Sequence, residues 1–364
     1  MDTKKTLMAA ALVAASALCA FAGAKKQQKP WREFAKPVCK FEGKPKYEVR
    51  GFMLDVGRMH HSMDTLKEIV RLMKANGLNV FHVHLNDNGF KRQFGDDWNK
   101  TQAAFRLECE TYPGLTAKDG HYTKKEFRAF VKWARKMGVE VVPEIDVPAH
   151  SLAFTRYRPE FASEKYGPDH LDLDKSKEIL EFLDKLFAEY LDGPDPVFSG
   201  KYVHVGTDEY DKRDAEKFRA FIDAMFAMVQ KHGKTPWAWG SLTHAKGTTP
   251  VRAGRGILMD LFSKDYYTHT DALRDGYSIV NCWDQPLYIV PKAGYYNDYL
   301  DMDWIEKNWT PDNIRGDKVT SDQLVGAKFC LWNDLCGQGY TEEDNLDRIA
   351  KVLPIFGRKL WYGK

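Results

Sequence analysis

The chain carries almost no net charge: 54 Lys and Arg nearly cancel 51 Asp and Glu, leaving a formal +3 at pH 7 over 364 residues. A nucleic-acid backbone or an anionic membrane is held by a surplus of cations, so neither is expected as a partner. Cysteine is scarce. Past residue 24 only Cys39, Cys109, Cys282, Cys330 and Cys336 remain, an odd number at spacings that fit no zinc motif. Cys330 and Cys336 are nearest in sequence, but spacing fixes no pairing. No glycine-rich phosphate fingerprint follows the first apolar run, which argues against a doubly wound dinucleotide fold, and no cofactor or metal is expected. After residue 24 no stretch is long and apolar enough to span a membrane.

The one extended apolar run comes at the start. Lys4 and Lys5 precede small and apolar residues from Leu7 onward, and Ala22-Gly23-Ala24 stands before Lys25 and Lys26. This is the pattern of a secretory signal peptide over residues 1–24, with export to the periplasm or the exterior as its consequence. An uncleaved anchor is the alternative, but the run is short and Ala-rich; Cys19 does not suit lipoprotein processing, because Leu18 before it is bulky. A polar lead-in over 25–46 follows, and the rest, 47–364, reads as one catalytic unit.

In that unit apolar runs at 50–56, 78–85, 139–145, 202–205, 236–239, 256–261, 278–282 and 327–332 read as strands. Amphipathic stretches lie between them, such as "TKKEFRAFVKWARKMG", which closes with Lys shortly before Gly as helices do. Eight strands alternating with helices predict an α/β fold of the (β/α)8 TIM-barrel type, with an open doubly wound sheet as the competitor. A barrel places its chemistry where strands end. Asp87 closes the second run, Asp146 and His150 the third, "HVGTDE" the fourth, Trp239 the fifth, and Trp332 with Asp334 the eighth.

The fourth ending is the most informative, because Asp208 and Glu209 are adjacent and successive strand residues point to opposite faces. Both reach one cleft only if the strand has bent, which Gly206 permits. Two carboxylates then divide the labour: one, protonated, donates to a leaving oxygen, and the other stays ionised. Adjacent acids suit a substrate whose own 2-acetamido group attacks, with Asp208 holding that group and Glu209 protonating the glycosidic oxygen. Glu209 must begin protonated, so its surroundings are expected to raise its pKa toward neutrality.

The motifs "RGFMLDVGR" from Arg50, "LNVFHVHLNDN" through Asp87, "VVPEIDVPAHSLA" through His150, "HVGTDE" and "CLWND" together resemble glycoside hydrolase family 20, the β-N-acetylhexosaminidases. The resemblance implies catalytic Asp208 and Glu209, support of Glu209 by His150 and Asp87, and substrate binding by Arg50, Trp239, Tyr296, Trp332 and Asp334. Tyr295 and Tyr288 rival Tyr296 as the acetamido-binding tyrosine. The implied activity is exo-acting, retaining release of terminal N-acetylglucosamine or N-acetylgalactosamine from a glycan. Three departures fall in the pocket: Thr207 stands where the family has glycine, Ser241 where it has an acid, and "GILMDLF" lacks a tryptophan. The family's small preceding domain has no room in 25–46.

Two other readings compete. His82 and His84, on one strand face, are expected to be packed and hydrogen-bonded, yet with Asp87, His150 and Asp208 they could form the centre of a metal-dependent barrel hydrolase. The altered pocket positions also suit a barrel that binds glycans without cleaving them, against which stands the retention of both acids.

Overall fold

The computed structural model describes residues 29–364; the signal-peptide assignment to 1–24 lies outside them. Eight parallel strands form the core: β1 Val49–Asp55, β2 Val80–His84, β3 Glu140–Val147, β4 Tyr202–Gly206, β5 Thr235–Trp239, β6 Leu258–Leu261, β7 Ser278–Asn281 and β8 Leu324–Leu331. Each neighbours the next in order, and β8 returns to β1, with Arg50 opposite Ala327 and Leu54 opposite Leu331, so the sheet closes into a barrel. Every residue of β1, β2 and β4 is buried. Burial on both faces is why such strands read as continuous apolar runs rather than as alternation.

The helices α1 Met63–Ala75, α2 Lys124–Lys136, α3 Ser176–Leu191, α4 Ala215–Lys231, α5 His269–Arg274, α6 Met302–Asn308 and α7 Glu342–Tyr362 cover the outside. Their ends follow local rules. Ser62 and Thr123 cap α1 and α2 by accepting the amides of Thr65 and Glu126, and Thr341 with Asp344 forms a capping box on α7. Left-handed Gly77, Gly138 and Gly233 end α1, α2 and α4 soon after their terminal lysines. One difference from the expected alternation concerns the fifth crossover: residues 240–257 between β5 and β6 contain no helix.

Two additions shape the rim. A two-residue strand, Tyr288–Ile289, pairs parallel with the end of β8 at Cys330 and Leu331, drawing the loop after β7 against the barrel mouth. The lead-in packs on the last helix: Trp31 is buried, the Lys46 amide donates to Trp361 O at 2.8 Å, and Trp361 Nε1 donates to Glu42 O at 2.9 Å. Among the described residues no helix is long and apolar enough to cross a membrane.

Candidate active site

The acid pair sits on a strained turn. After β4, Gly206, Thr207 and Glu209 all take positive φ, 67°, 68° and 49°. The regular alternation is thereby broken, and Asp208 and Glu209 both face one cleft. A Cβ on residue 206 would lie 1.6 Å from Asp146 Oδ1, so glycine is required there. At 207 a β-branched residue occupies the left-handed region, a conformation that costs about 1–3 kcal/mol and survives only where neighbours enforce it. Those neighbours are visible. The Thr207 amide donates to Val147 O at 3.0 Å, and Ser241 Oγ donates to Thr207 O at 2.6 Å. Two of the three departures from the family pattern therefore touch each other.

The cleft has a volume of about 160 Å³ and is walled by Arg58, Phe90, His150, Asp208, Glu209, Phe262, Tyr288, Val290, Tyr295, Tyr296, Trp332 and Asp334. Six expected residues meet in it: His150, Asp208, Glu209, Tyr296, Trp332 and Asp334. All three tyrosine candidates line it. Tyr296 donates to Asp284 Oδ2 at 3.0 Å and Tyr295 to Asp334 Oδ2 at 2.9 Å, while Tyr288 packs edge-on against Tyr296. Phe262, just past β6, fills the strand-six wall where no tryptophan was found, and it meets the Trp239 ring edge-on at 5.8 Å.

Two expected residues stand behind the wall. Asp87 is fully buried and supports His150. Trp239 is 1% exposed, and its indole donates to Glu144 Oε1 at 2.7 Å beneath the cleft, 5.5 Å from the Trp332 ring. It is a floor under Trp332 rather than a surface for sugar.

Arg50 is elsewhere. It heads β1, at the opposite end of the barrel, where its guanidinium donates to Tyr47 O at 2.6 Å and Gly77 O at 2.7 Å and lies 5.1 Å from the Trp361 ring. The second arginine of the same motif, Arg58, occupies the cleft. It follows the C-terminal end of β1, contacts Asp55 at 3.0 Å, Asp87 at 2.7 Å and Asp334 at 3.5 Å, and is set between the Phe90 and Trp332 rings. Its place past the strand end was the signal that could have distinguished it from Arg50.

A line of charge leads inward from Glu209. His150 Nε2 lies 3.5 Å from Glu209 Oε2 and 4.0 Å from Asp208 Oδ2, and His150 Nδ1 lies 2.9 Å from Asp87 Oδ1. Burial opposes the imidazolium of His150, but Asp87, Glu209 and Asp208 together outweigh it and hold the pKa well above the ordinary value. Glu209 then departs from expectation. Burial alone would raise its pKa, yet the hydrogen bond and charge of His150 bring it below the usual range. Burial, with Glu209 beside it, instead pushes Asp208 up to about 6 against the pull of His150. The proton expected on Glu209 is thus drawn toward Asp208, whose Oδ1 is buried without a partner.

Below the cleft the barrel is filled with paired charges. Glu144 contacts His84, His82 at 2.8 Å and His204 at 3.0 Å; His204 lies 3.1 Å from Asp260, which is paired with Lys328. His84 uses its other nitrogen on Asp87 at 2.8 Å. The two histidines of the second strand are therefore packed and hydrogen-bonded. His82, His204 and Asp260 are close enough to hold a cation, and the Lys328 ammonium already serves there, 2.6 Å from His82 Nδ1. A second such group joins His150 and Asp208, which line the cleft, to Asp146 buried behind them.

Comparison with known proteins agrees with this geometry. Residues 47–219 match the family described as "Glycosyl hydrolase family 20, catalytic domain". A beta-hexosaminidase of Akkermansia muciniphila is 27% identical over 225 residues, 54% of this chain and 45% of that protein. A beta-hexosaminidase subunit beta of Entamoeba histolytica is 24% identical over 379 residues, covering 88% of this chain and 60% of its own. The chain spans about half the length of the curated relatives it matches. In fold, the β-N-acetylhexosaminidase of Streptomyces coelicolor superposes with a TM-score of 0.69 at 23% identity, over 87% of this chain and 65% of that one. The matched segment runs from β1 into α4 and carries the whole of the "HVGTDE" turn, so it is this part of the chain that is similar to the catalytic domain of glycoside hydrolase family 20.

Proposed function

We propose that the protein is an exported, exo-acting β-N-acetylhexosaminidase that releases a terminal N-acetylglucosamine or N-acetylgalactosamine with retention. The observation that carries this reading is the pair at the end of β4: Asp208 offers a buried, unpartnered Oδ1, and Glu209 opens into the same cleft. A buried acceptor without a donor is costly, and the N–H of a 2-acetamido group is a donor of the right kind.

In the proposed reaction Glu209 gives its proton to the glycosidic oxygen as the acetamido carbonyl oxygen attacks C1 from the opposite side. The C1–O bond breaks, the leaving sugar departs as an alcohol, and an oxazolinium ion remains. Asp208 takes the acetamido N–H and offsets the positive charge. Water then attacks C1, losing its proton to Glu209, which restores the acid and leaves the original configuration. Asp87 and Arg58 keep His150 oriented toward Glu209, and Trp332 supplies an aromatic wall for the apolar face of the sugar. Acceptance of the N–H favours ionised Asp208, so substrate binding would return the shared proton to Glu209.

The test is release of nitrophenol from the two aryl N-acetylhexosaminides, with Glu209→Gln as control. Release that falls in the variant supports the reading, and no release from either sugar overturns it. One observation favours a metal-dependent hydrolase: both carboxylate oxygens of Asp146, next to His150 and Asp208, lack hydrogen-bond partners. Chelator separates the two, since acetamido participation needs no metal.

A further inference from the structure

The C-terminal face of the barrel holds a second cavity beside the catalytic cleft, of about 390 Å³, within the range of small-molecule sites. Its walls come from two segments. Trp283 and Gln285 follow β7, and Asn297, Asp301, Trp304 and Ile305 come from the loop before α6 and from α6 itself. The two indoles lie 6.4 Å apart at 74°, forming a corner with one aromatic face on each side. Trp304 is 38% exposed, so part of its ring is open to a ligand.

The cavity and the cleft share a wall one residue thick. Tyr296 lines the cleft, and its neighbour Asn297 lines the cavity. Across from them, Asp284 takes the Tyr296 hydroxyl proton at 3.0 Å, while Trp283 and Gln285 on either side of it face the cavity. Asn297 Nδ2 donates to Gln285 O at 2.6 Å, and the Trp283 amide donates to Asn281 Oδ1 at 3.1 Å at the end of β7, so both sides are tied to the barrel. The two compartments share no lining residue, and Tyr296 with Asp284 forms the ridge between them.

The lining chemistry is selective. Aromatic faces suit the apolar face of a pyranose, and the amides of Gln285 and Asn297 with the Asp301 carboxylate suit its hydroxyls. No lysine or arginine lines the cavity, so an anionic group has no counter-charge there. We propose that this cavity is a subsite for a neutral sugar on the leaving-group side of the scissile bond, so that the enzyme prefers oligosaccharide chains over single-sugar glycosides. The proposal rests on the hexosaminidase reading and adds to it a residue-level account of chain preference.

Trp304→Ala tests it, because Trp304 is partly exposed on a surface helix and its removal leaves the barrel core intact. With the β-1,4-linked N-acetylglucosamine trimer as substrate, kcat/KM is expected to fall about tenfold, chiefly through KM, as loss of one stacking face predicts. Aryl N-acetylglucosaminide hydrolysis stays within about twofold of the parent, and Trp304→Phe restores most of the trimer activity. Trimer titration of the Glu209→Gln protein, followed by indole fluorescence, gives the same comparison without turnover. Equal losses on trimer and aryl glycoside, no loss on either, or no trimer binding would each overturn the subsite while leaving the reaction standing. A parent protein silent on the aryl glycosides would instead remove the reading beneath it.

Discussion

The two halves of the barrel interior use the same side chains for opposite ends. Below the cleft, His82, His84, His204, Glu144, Asp260 and Lys328 are all sealed from solvent, and every charged group has an opposite charge at contact distance. At the rim, Asp208 Oδ1, both oxygens of Asp146 and Thr207 Oγ1 are buried without partners, and Thr207 itself, like Gly206 and Glu209 around it, is held in a left-handed conformation. Titratable residues therefore do not mark a site by their presence. What separates the regions is charge pairing: the buried acids of the lower set each have a histidine or lysine in contact, whereas the oxygens of Asp146 and the Oδ1 of Asp208 have no hydrogen-bond partner.

Four substitutions test this division. Glu209→Gln removes the acid, and turnover of glycosides with poor leaving groups should fall by about 10³-fold, with a much smaller loss on activated aryl glycosides. Equal losses on the two would contradict the acid role. Lys328→Met removes the ammonium paired with buried Asp260 and leaves that carboxylate only its contact with His204, which should cost about 3 kcal/mol of stability. Denaturant titration would read it, and an unchanged midpoint would deny that the lower network is structural.

Asp208→Asn should lower kcat by about a hundredfold or more and also change the pH profile. In the parent the acid pair loses its last proton as pH rises through about 6, the value toward which burial pushes Asp208, so kcat/KM should decline above that point. The shift is upward, so the protonated state is the one favoured on the acid side of the limb. With Asn at 208 only Glu209, held low by His150, titrates, and the limb should move to lower pH. A limb that stays in place would assign it to another group. The smallest effect belongs to Thr207→Gly, which relieves a left-handed β-branched residue and should raise stability by about 1 kcal/mol, unless Ser241 and Val147 already absorb the strain. A melting temperature at or below the parent's would show that they do.

Much of this was legible in the chain. All eight strands announced themselves as mainly apolar runs, even where a buried His82, Glu144, Asp260 or Lys328 interrupts them, and helix ends followed from Lys before Gly. The acid turn was readable from Gly206, whose lack of a side chain makes room for the Asp146 carboxylate. Other features depended on geometry that no spacing encodes. Arg50 and Arg58 bracket the same strand, and only the direction of the barrel decides which one lines the cleft. Trp239 ends its strand as expected, but its indole turns down onto Glu144. The low pKa of Glu209 comes from His150, a residue 59 positions earlier in the sequence whose orientation rests on Asp87. The Trp283–Trp304 corner joins two segments that carry no shared motif, and the helix-free fifth crossover left no mark on the strand count.

The packing of the lead-in on the last helix has a topological consequence. Residues 42 and 46 are hydrogen-bonded to residues 361 and 362, while Lys29 and Trp31 reach Glu343 at the other end of α7, so the lead-in runs along that helix on the barrel's outer surface. The order in which the eight units are synthesised is then separable from the order in which they surround the axis. A circular permutant in which a short flexible linker joins residue 364 to residue 42, opened in the exposed turn at residues 192–195, should rebuild the same cleft. The architecture is a ring whose starting point is incidental.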